Sequence, residues 1–285
     1  MLSMHIVIAN CLKYSYVSVS DTVLVSALEA RGHIVEAAPW NGAWQPFEAA
    51  DVVVVRSTWD YHYVPEAFED WLTRLEQANI TTYNPINLMR WNMSKTYLLE
   101  LAAGGINVPQ SACVTSGDTL ADVMTREGLA DVVVKPIQGA SGVLVERTSL
   151  DSAQTWEQDI RPTRPDATWL IQAFVPEITV GELSLVFFGG ELAHVVLKRP
   201  HEQDFRVNGQ YGSTTTVTTV SAEVLQDAQE VLATLPNMPL YVRVDGIVQD
   251  GRLCLLELEL IEPGLFFDLV PSSAEQFADA LEAFL

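Results

Sequence analysis

Four consecutive valines, Val52 to Val55, are the stretch that most limits what this chain can fold into. A strand that is apolar on both faces needs cover on both, and parallel sheets receive that cover from helices. The surrounding pattern supplies it. His5 to Ala9 is a short apolar strand, and Asp21 or Thr22 can cap a helix that runs to about Arg31 and ends at Gly32. Ile34 to Ala37 reads as a second strand, Glu66 to Ala78 as a helix and Ile80 to Tyr83 as a fourth strand. Such alternation predicts an α/β unit with a doubly wound parallel sheet, whose ligand end is the carboxyl end of its strands. There the valine strand empties into Arg56-Ser57-Thr58-Trp59-Asp60-Tyr61. Arg56, Ser57, Trp59 and Asp60 are therefore substrate-binding candidates; the alternative is a loop packed by its own aromatics.

Asn84-Pro85 breaks this pattern, and the stretch to Trp91 reads as a crossover into a second unit. Asn92 or Ser94 is expected to cap a helix from Lys95 to Ala103, closed by Gly104-Gly105. Lys95 would then lie in the first turn, where the helix dipole disfavours a cation. A nearby anion would account for it, and so would simple exposure.

The second unit is centred on Val132-Val133-Val134-Lys135, the loop Pro136 to Gly142, and a second apolar strand leaving through Val143 to Glu146. A hairpin of this kind leaves backbone N–H groups free at Gly139, Ala140, Ser141 and Gly142, and small residues let an anion approach them. Lys135 sits where a buried strand meets that loop, and a buried ammonium needs a partner. A phosphate would meet both conditions. An ordinary glycine-rich hairpin beside a lysine that reaches solvent fits the same residues.

Near the end of the chain, Leu256-Glu257-Leu258-Glu259-Leu260 alternates strictly, so both glutamates leave one face of a strand. On the preceding strand, Tyr241, Arg243 and Asp245 share a face for the same reason. A two-residue turn at Asp250-Gly251 would put Asp245 on the opposite face from the glutamates. A three-residue loop, Gln249 to Gly251, would place Arg243 opposite Glu257 and Tyr241 opposite Glu259. The second register is the expected one, because it gathers the carboxylates. Carboxylates so spaced suit Mg²⁺, which takes one or two of them together with phosphate oxygens. A merely solvated strand face is the competing reading.

Composition excludes several classes. The net charge of −21 argues against nucleic acid or an anionic membrane as partner. Cys11, Cys113 and Cys254 are too far apart for a disulfide framework or zinc spacing. The stretch Met1 to Leu12 lacks signal-peptide features, and no apolar run is long enough to span a bilayer, so a cytoplasmic protein is expected. No P-loop, dinucleotide fingerprint, zinc-protease or serine-hydrolase motif occurs. His5, His33, His62, His194 and His201 are scattered and read as structural or exposed. Trp40, Trp44 and Phe47 read as exposed aromatics suited to a homodimer contact.

Taken in order, these parts resemble the ATP-grasp superfamily, nearest its glutathione-synthetase-like branch. Arg56-Ser57-Thr58-Trp59-Asp60-Tyr61, Arg90-Trp91-Asn92-Met93-Ser94-Lys95 and Leu256 to Pro263 resemble a subgroup of small ATP-grasp proteins that includes the D-cycloserine-forming cyclo-ligase. The resemblance implies a pre-ATP-grasp α/β domain over residues 1–91 that binds substrate. An α+β subdomain with a glycine-rich lid would follow over 92–174, and one with metal-binding carboxylates over 175–285. It implies that Lys95, Lys135 and the Gly139 to Gly142 loop meet the phosphates of ATP. Gln172, Phe174 and Val175 would hold adenine, and Glu182 the ribose. Asp245, Glu257 and Glu259 would bind Mg²⁺, with Glu259 standing where glutathione synthetases carry asparagine. Arg199, Arg206 and Asn208 would meet the γ-phosphate and a substrate carboxylate, and Arg206 or Arg243 would stabilise an oxyanion. The implied activity is ADP-forming ligation of a small amino-acid-like carboxylate to an amine through an acyl phosphate. Alternatives are a cyclo-ligase that activates and loses a ureido group, and an ATP-binding regulatory module without turnover.

Overall fold

The computed structural model describes residues 3–14, 17–202 and 204–285. β1 (His5–Asn10), β2 (Ile34–Pro39), β3 (Val52–Ser57) and β4 (Thr81–Tyr83) form a parallel sheet in the order β2-β1-β3-β4. β3 is buried along its whole length, as four valines in a row require. Val52 and Val54 pack against Leu24 and Leu28 of the helix Val19–Ala30 and against Phe277 and Leu281 of the last helix, Ser273–Phe284. Val53 and Val55 pack on the other side against Phe68, Trp71 and Leu72 of the helix Pro65–Gln77. The first helix starts earlier than expected. Ser18 caps it by accepting from the Asp21 N–H at 3.0 Å, which leaves the Asp21 carboxylate for another use.

The residues expected as a crossover form a helix, Ile86–Asn92, with Ile86, Leu88 and Met89 buried. The next helix begins at Tyr97, not Lys95. Neither expected cap caps it. The Lys95 N–H instead donates to the Ile137 carbonyl at 2.8 Å, and the Asn92 side chain joins the strand that carries the glutamates.

β5 (Ser111–Val114), β6 (Asp131–Pro136), β7 (Glu146–Ser149) and β8 (Trp169–Ala173) form an antiparallel sheet ordered β5-β8-β6-β7. Val143 to Val145 do not extend β7 as expected; they turn, with Leu144 at φ 58°, and the strand begins at Glu146. β9 (Glu182–Phe188), β10 (Glu191–Arg199), β11 (Thr214–Thr218), β12 (Tyr241–Gln249) and β13 (Arg252–Glu259) make a third, antiparallel sheet ordered β11-β10-β9-β12-β13.

The β12–β13 register differs from expectation. Gln249 faces Arg252 across a two-residue turn, because Asp250 (φ 49°) and Gly251 (φ 79°) both take the positive φ that such a turn needs. A bulge at Leu256 then shifts the ladder, so Asp245 faces Glu257 and Arg243 faces Glu259. Arg243 does not face Glu257, and Tyr241 does not face Glu259. The bulge returns the carboxylates to one surface by a different route. The expected homodimer surface is also corrected: Trp40 and Phe47 are buried in the core between β1, β3 and the helix Pro65–Gln77, and the Arg74 guanidinium lies 3.9 Å from the centre of the Trp44 ring.

Candidate active site

A cavity of about 290 Å³ opens between the two antiparallel sheets, with Trp59 and Tyr61 of the first unit at one end. β6 delivers Lys135 to it. Val132 and Val134 anchor the strand in the core, and the Lys135 Nζ lies 3.1 Å from Gln172 Oε1 and 3.4 Å from the Leu256 carbonyl. Burial pushes this ammonium down to about 8; Glu257 opposes that shift and Lys95 adds to it. Lys95 enters from the neighbouring segment and forms an ion pair with Glu257. Burial alone would lower the Lys95 ammonium, but Glu257, Glu259 and Glu262 hold it above its usual range.

The loop after Lys135 is shaped for close approach. Among the described residues, none of the backbone N–H groups of Gly139, Ala140, Ser141 and Gly142 donates to a protein acceptor. Gly142 has φ +69°, and a Cβ there would stand 2.8 Å from Asn208 Oδ1 and 3.0 Å from the Tyr211 ring. Gln210 Nε2 donates to the Ser141 carbonyl (2.6 Å) and the Tyr211 hydroxyl to the Gly142 carbonyl (3.0 Å). Arg206 lies 3.8 Å over the Tyr211 ring and is held by Asp204 at 2.9 Å, so it borders the same loop.

Facing the lysines are the carboxylates of β12 and β13. Tyr97 and Asn92 fix β13: the Tyr97 hydroxyl donates to the Leu258 carbonyl and accepts from its N–H, and Asn92 bonds Leu258 and Leu260. Arg243 donates to Asp245 at 2.8–3.1 Å and to the Gly264 carbonyl at 3.0 Å, and forms an ion pair with Glu259. Asp245 also accepts from Ser184 and from Lys198, the latter at 3.2 Å. Burial would raise the Asp245 carboxyl, but Arg243 and Lys198 hold it well below the carboxylate range. Burial raises Glu259 to about 7 against the pull of Arg243. It likewise outweighs the Lys198 ion pair at Glu182 and keeps that carboxyl above its ordinary value. At Glu257 the balance goes the other way: Lys95 and Lys135 overcome burial and hold it low.

Lys95, Lys135, Gly139 to Gly142, Gln172, Phe174, Val175, Glu182, Trp59, Arg206, Asn208, Arg243, Glu257 and Glu259 all line this one cavity. Asp245 lies directly behind Arg243. Arg56, Ser57, Asp60 and Arg199 do not line it. Arg56 and Ser57 are buried against Asp21 at 3.0 and 3.2 Å, Asp60 accepts from Trp40 Nε1 and Asn41 Nδ2, and Arg199 is exposed on β10. Sequence reasoning missed Lys198 and Glu262. Lys198 ends the apolar run Val195 to Leu197 of β10, and Glu262 follows Leu260-Ile261; a charge ending an apolar run was the available signal for each.

No three His, Cys, Asp or Glu side chains among the described residues form a metal cage by themselves. The donor chemistry nonetheless fits Mg²⁺. Glu257 and Glu259 are hard oxygen donors on one face, and such an ion completes its shell with phosphate oxygens and water.

Comparison with known proteins agrees with this architecture. Residues 100–266 match the model of the prokaryotic glutathione synthetase ATP-grasp domain, and residues 6–84 match that of the D-cycloserine synthetase DcsG N-terminal domain. The cycloserine biosynthesis protein DcsG of Streptomyces lavendulae is 28% identical, over 90% of this chain and 91% of that one. The crystal structure of D-cycloserine synthetase DcsG superposes with a TM-score of 0.84 at 24% identity, over 97% of this chain and 98% of that one. D-alanine–D-alanine ligase from Bacillus anthracis shares the fold, with a TM-score of 0.72 at 18% identity over 99% and 97% of the two chains. The ATP-grasp match spans more than half of the chain, which therefore belongs to the glutathione-synthetase-like ATP-grasp family and is an ATP-dependent carboxylate–amine ligase.

Proposed function

We propose that the cavity binds Mg·ATP and an amino-acid-like carboxylate, and that the protein joins this carboxylate to an amine through an acyl phosphate. The observation that carries the reading is the meeting of two lysines, Lys135 buried and Lys95 partly buried, a glycine-rich loop with free N–H groups and a carboxylate face around one cavity. In this reading Lys95, Lys135 and the N–H groups of Gly139 to Gly142 hold the phosphates, and Gln172, Phe174, Val175 and Glu182 hold the nucleoside. Glu257 and Glu259, with Asp245 behind them, would hold Mg²⁺, which neutralises phosphate charge when bound. Residues 1–91 would then form the substrate-binding domain, 92–174 the lid subdomain and 175–285 the metal-binding subdomain. A cytoplasmic location accords with free thiols at Cys11, Cys113 and Cys254.

The chemistry follows from positioning and charge. A carboxylate oxygen attacks the γ-phosphorus, the bond to the β-phosphate oxygen breaks, and ADP leaves. An amine nitrogen then attacks the acyl carbon, the C–O bond to phosphate breaks, and phosphate and a proton depart. Arg243, fixed by Asp245, Glu259 and the Gly264 carbonyl, is preorganised to stabilise the oxyanion of that second step. Arg206 and Asn208, beside the glycine loop, are assigned to the transferred phosphoryl group.

The test is phosphate release from ATP and Mg²⁺ across a panel of amino acids offered with and without amine acceptors. At least one carboxylate should stimulate release more than about tenfold over the basal rate, a difference of about 1.4 kcal/mol in barrier. No stimulation by any carboxylate, despite ATP binding, contradicts the proposal. A second reading, intramolecular cyclisation, is favoured by the match of residues 6–84 to the DcsG N-terminal model. A ureido-bearing amino acid that releases phosphate without any second substrate would support it.

A further inference from the structure

If residues 1–91 bind the substrate, they have few side chains with which to do so. Among the described residues of that unit, only Trp59 and Tyr61 line the cavity. The Trp59 indole N–H is already spent on the Glu262 carbonyl at 3.2 Å. Tyr61 opens the turn Tyr61–Tyr63 and is fixed at both ends of its backbone and along its ring. Its N–H donates to the Thr58 carbonyl at 3.0 Å, its carbonyl accepts from the Val64 N–H at 3.0 Å, and its ring centre lies 4.8 Å from that of Phe68. The residue is only 6% exposed. Its hydroxyl nevertheless makes no hydrogen bond among the described residues and is not sealed in the core, so it opens to the cavity. A tyrosine hydroxyl so far withdrawn from bulk water ordinarily has a partner. Tyr97, the other tyrosine of the cavity wall, keeps to that rule: its hydroxyl bonds both the N–H and the carbonyl of Leu258. Burial raises the Tyr61 phenol well above its ordinary value, and Glu262, Glu257 and Glu259 add to the rise, so the group is neutral and holds its proton.

We propose that Tyr61 is a substrate-binding residue whose hydroxyl donates to the carboxylate of the amino-acid-like substrate. This inference rests on the ligase reading above and names the side chain through which the first unit takes part in it. The carboxylate is the group that such substrates share, and it needs a donor that the protein has not used elsewhere. Arg243 is committed to Asp245, Glu259 and the Gly264 carbonyl, and Asn92 to Leu258. The Tyr61 O–H is uncommitted. Because its ring is packed in the core and its backbone is held in a turn, the donor is in place before the substrate arrives. A fixed donor of this kind orients a carboxylate oxygen without adding charge to the site.

The experiment compares wild type with Tyr61→Phe, which removes one oxygen and keeps the ring against Phe68. Since that oxygen has no partner within the protein, the thermal midpoint should stay within about 3 °C. For the best carboxylate from the phosphate-release panel, KM should rise about 10–100-fold, the range for a hydrogen bond to a charged group. The Kd of Mg·ATP, measured by calorimetry without carboxylate, should stay within about twofold. That split is the signature of a lost substrate contact, and a disturbed fold would not produce it. A carboxylate KM within twofold of wild type overturns the inference and leaves the ligase reading standing. A parallel loss of Mg·ATP affinity also overturns it, by making Tyr61 a support of the whole cavity. If no carboxylate stimulates release in the wild type, the ligase reading fails and this inference falls with it.

Discussion

The ammonium of Lys135 is buried with two neutral partners, the Gln172 side chain and the Leu256 carbonyl, and forms no ion pair among the described residues. Its pKa of about 8 lies below the ordinary 10.5, so between those values the unfolded chain binds more protons than the folded one. Stability attributable to this residue therefore rises as pH climbs from about 8 through 10.5, and is reduced below that window. Bound phosphates reverse the preference, because they favour the charged form. ATP affinity is expected to weaken above pH 8, by up to about tenfold per pH unit, with proton uptake on binding. Calorimetric titration in buffers of different ionisation enthalpy measures that uptake. Lys135→Ala should lose about 2–5 kcal/mol of ATP binding and abolish the proton uptake; affinity within twofold of wild type would remove Lys135 from the phosphate site. Lys135 was legible in the sequence because three valines run into it. Lys198 was less so, since its meaning depends on the Glu182 and Asp245 carboxylates it meets, and those partners are known only once the chain is folded.

Among elements, the glycine-rich loop and the last hairpin carry the site, and they were legible to different degrees. Small residues after a buried strand announced the loop. Its closing contacts to Asn208, Gln210 and Tyr211 come from a segment some seventy residues away, which no local pattern shows. In the hairpin, strict alternation gave the face of Glu257 and Glu259, but the register was misjudged. Asp250 and Gly251 satisfy a two-residue turn, and the bulge at Leu256 then restores the alignment. A bulge leaves little trace in the sequence, since an extra leucine in an apolar strand looks like any other. Gly142→Ala tests the loop. It forces a Cβ to 2.8 Å from Asn208 Oδ1 at a φ of +69°, with strain of about 1–3 kcal/mol. Phosphate release should fall about tenfold or more, with a stability loss of about 1–3 kcal/mol that reports the same strain. An unchanged rate would mean that the loop does not close on the nucleotide.

For the whole molecule, the first sheet is tied to the third by buried polar contacts. Asn84 donates to the Tyr241 and Leu260 carbonyls, and the Tyr241 hydroxyl donates to the Ile261 carbonyl at 2.9 Å. Arg56 belongs to this join. It pairs with Asp21 at 3.0 Å and donates to the Pro263 carbonyl at 2.8 Å, one residue after Glu262. The sequence placed Arg56 correctly at the carboxyl end of β3 but could not show that the first helix supplies its carboxylate. Arg56→Ala should destabilise the protein by about 3–5 kcal/mol in denaturant unfolding, because it strands the Asp21 charge in the core. A loss below about 1 kcal/mol would return Arg56 to the list of substrate contacts.

The central claim is that a substrate carboxylate takes the γ-phosphoryl group of ATP within this cavity. Labelling both carboxylate oxygens of the active substrate with ¹⁸O tests it most directly. Attack on the γ-phosphorus followed by amine attack predicts one ¹⁸O in each released phosphate and ADP as the other product. Unlabelled phosphate, or AMP with the label in its phosphate, would contradict it.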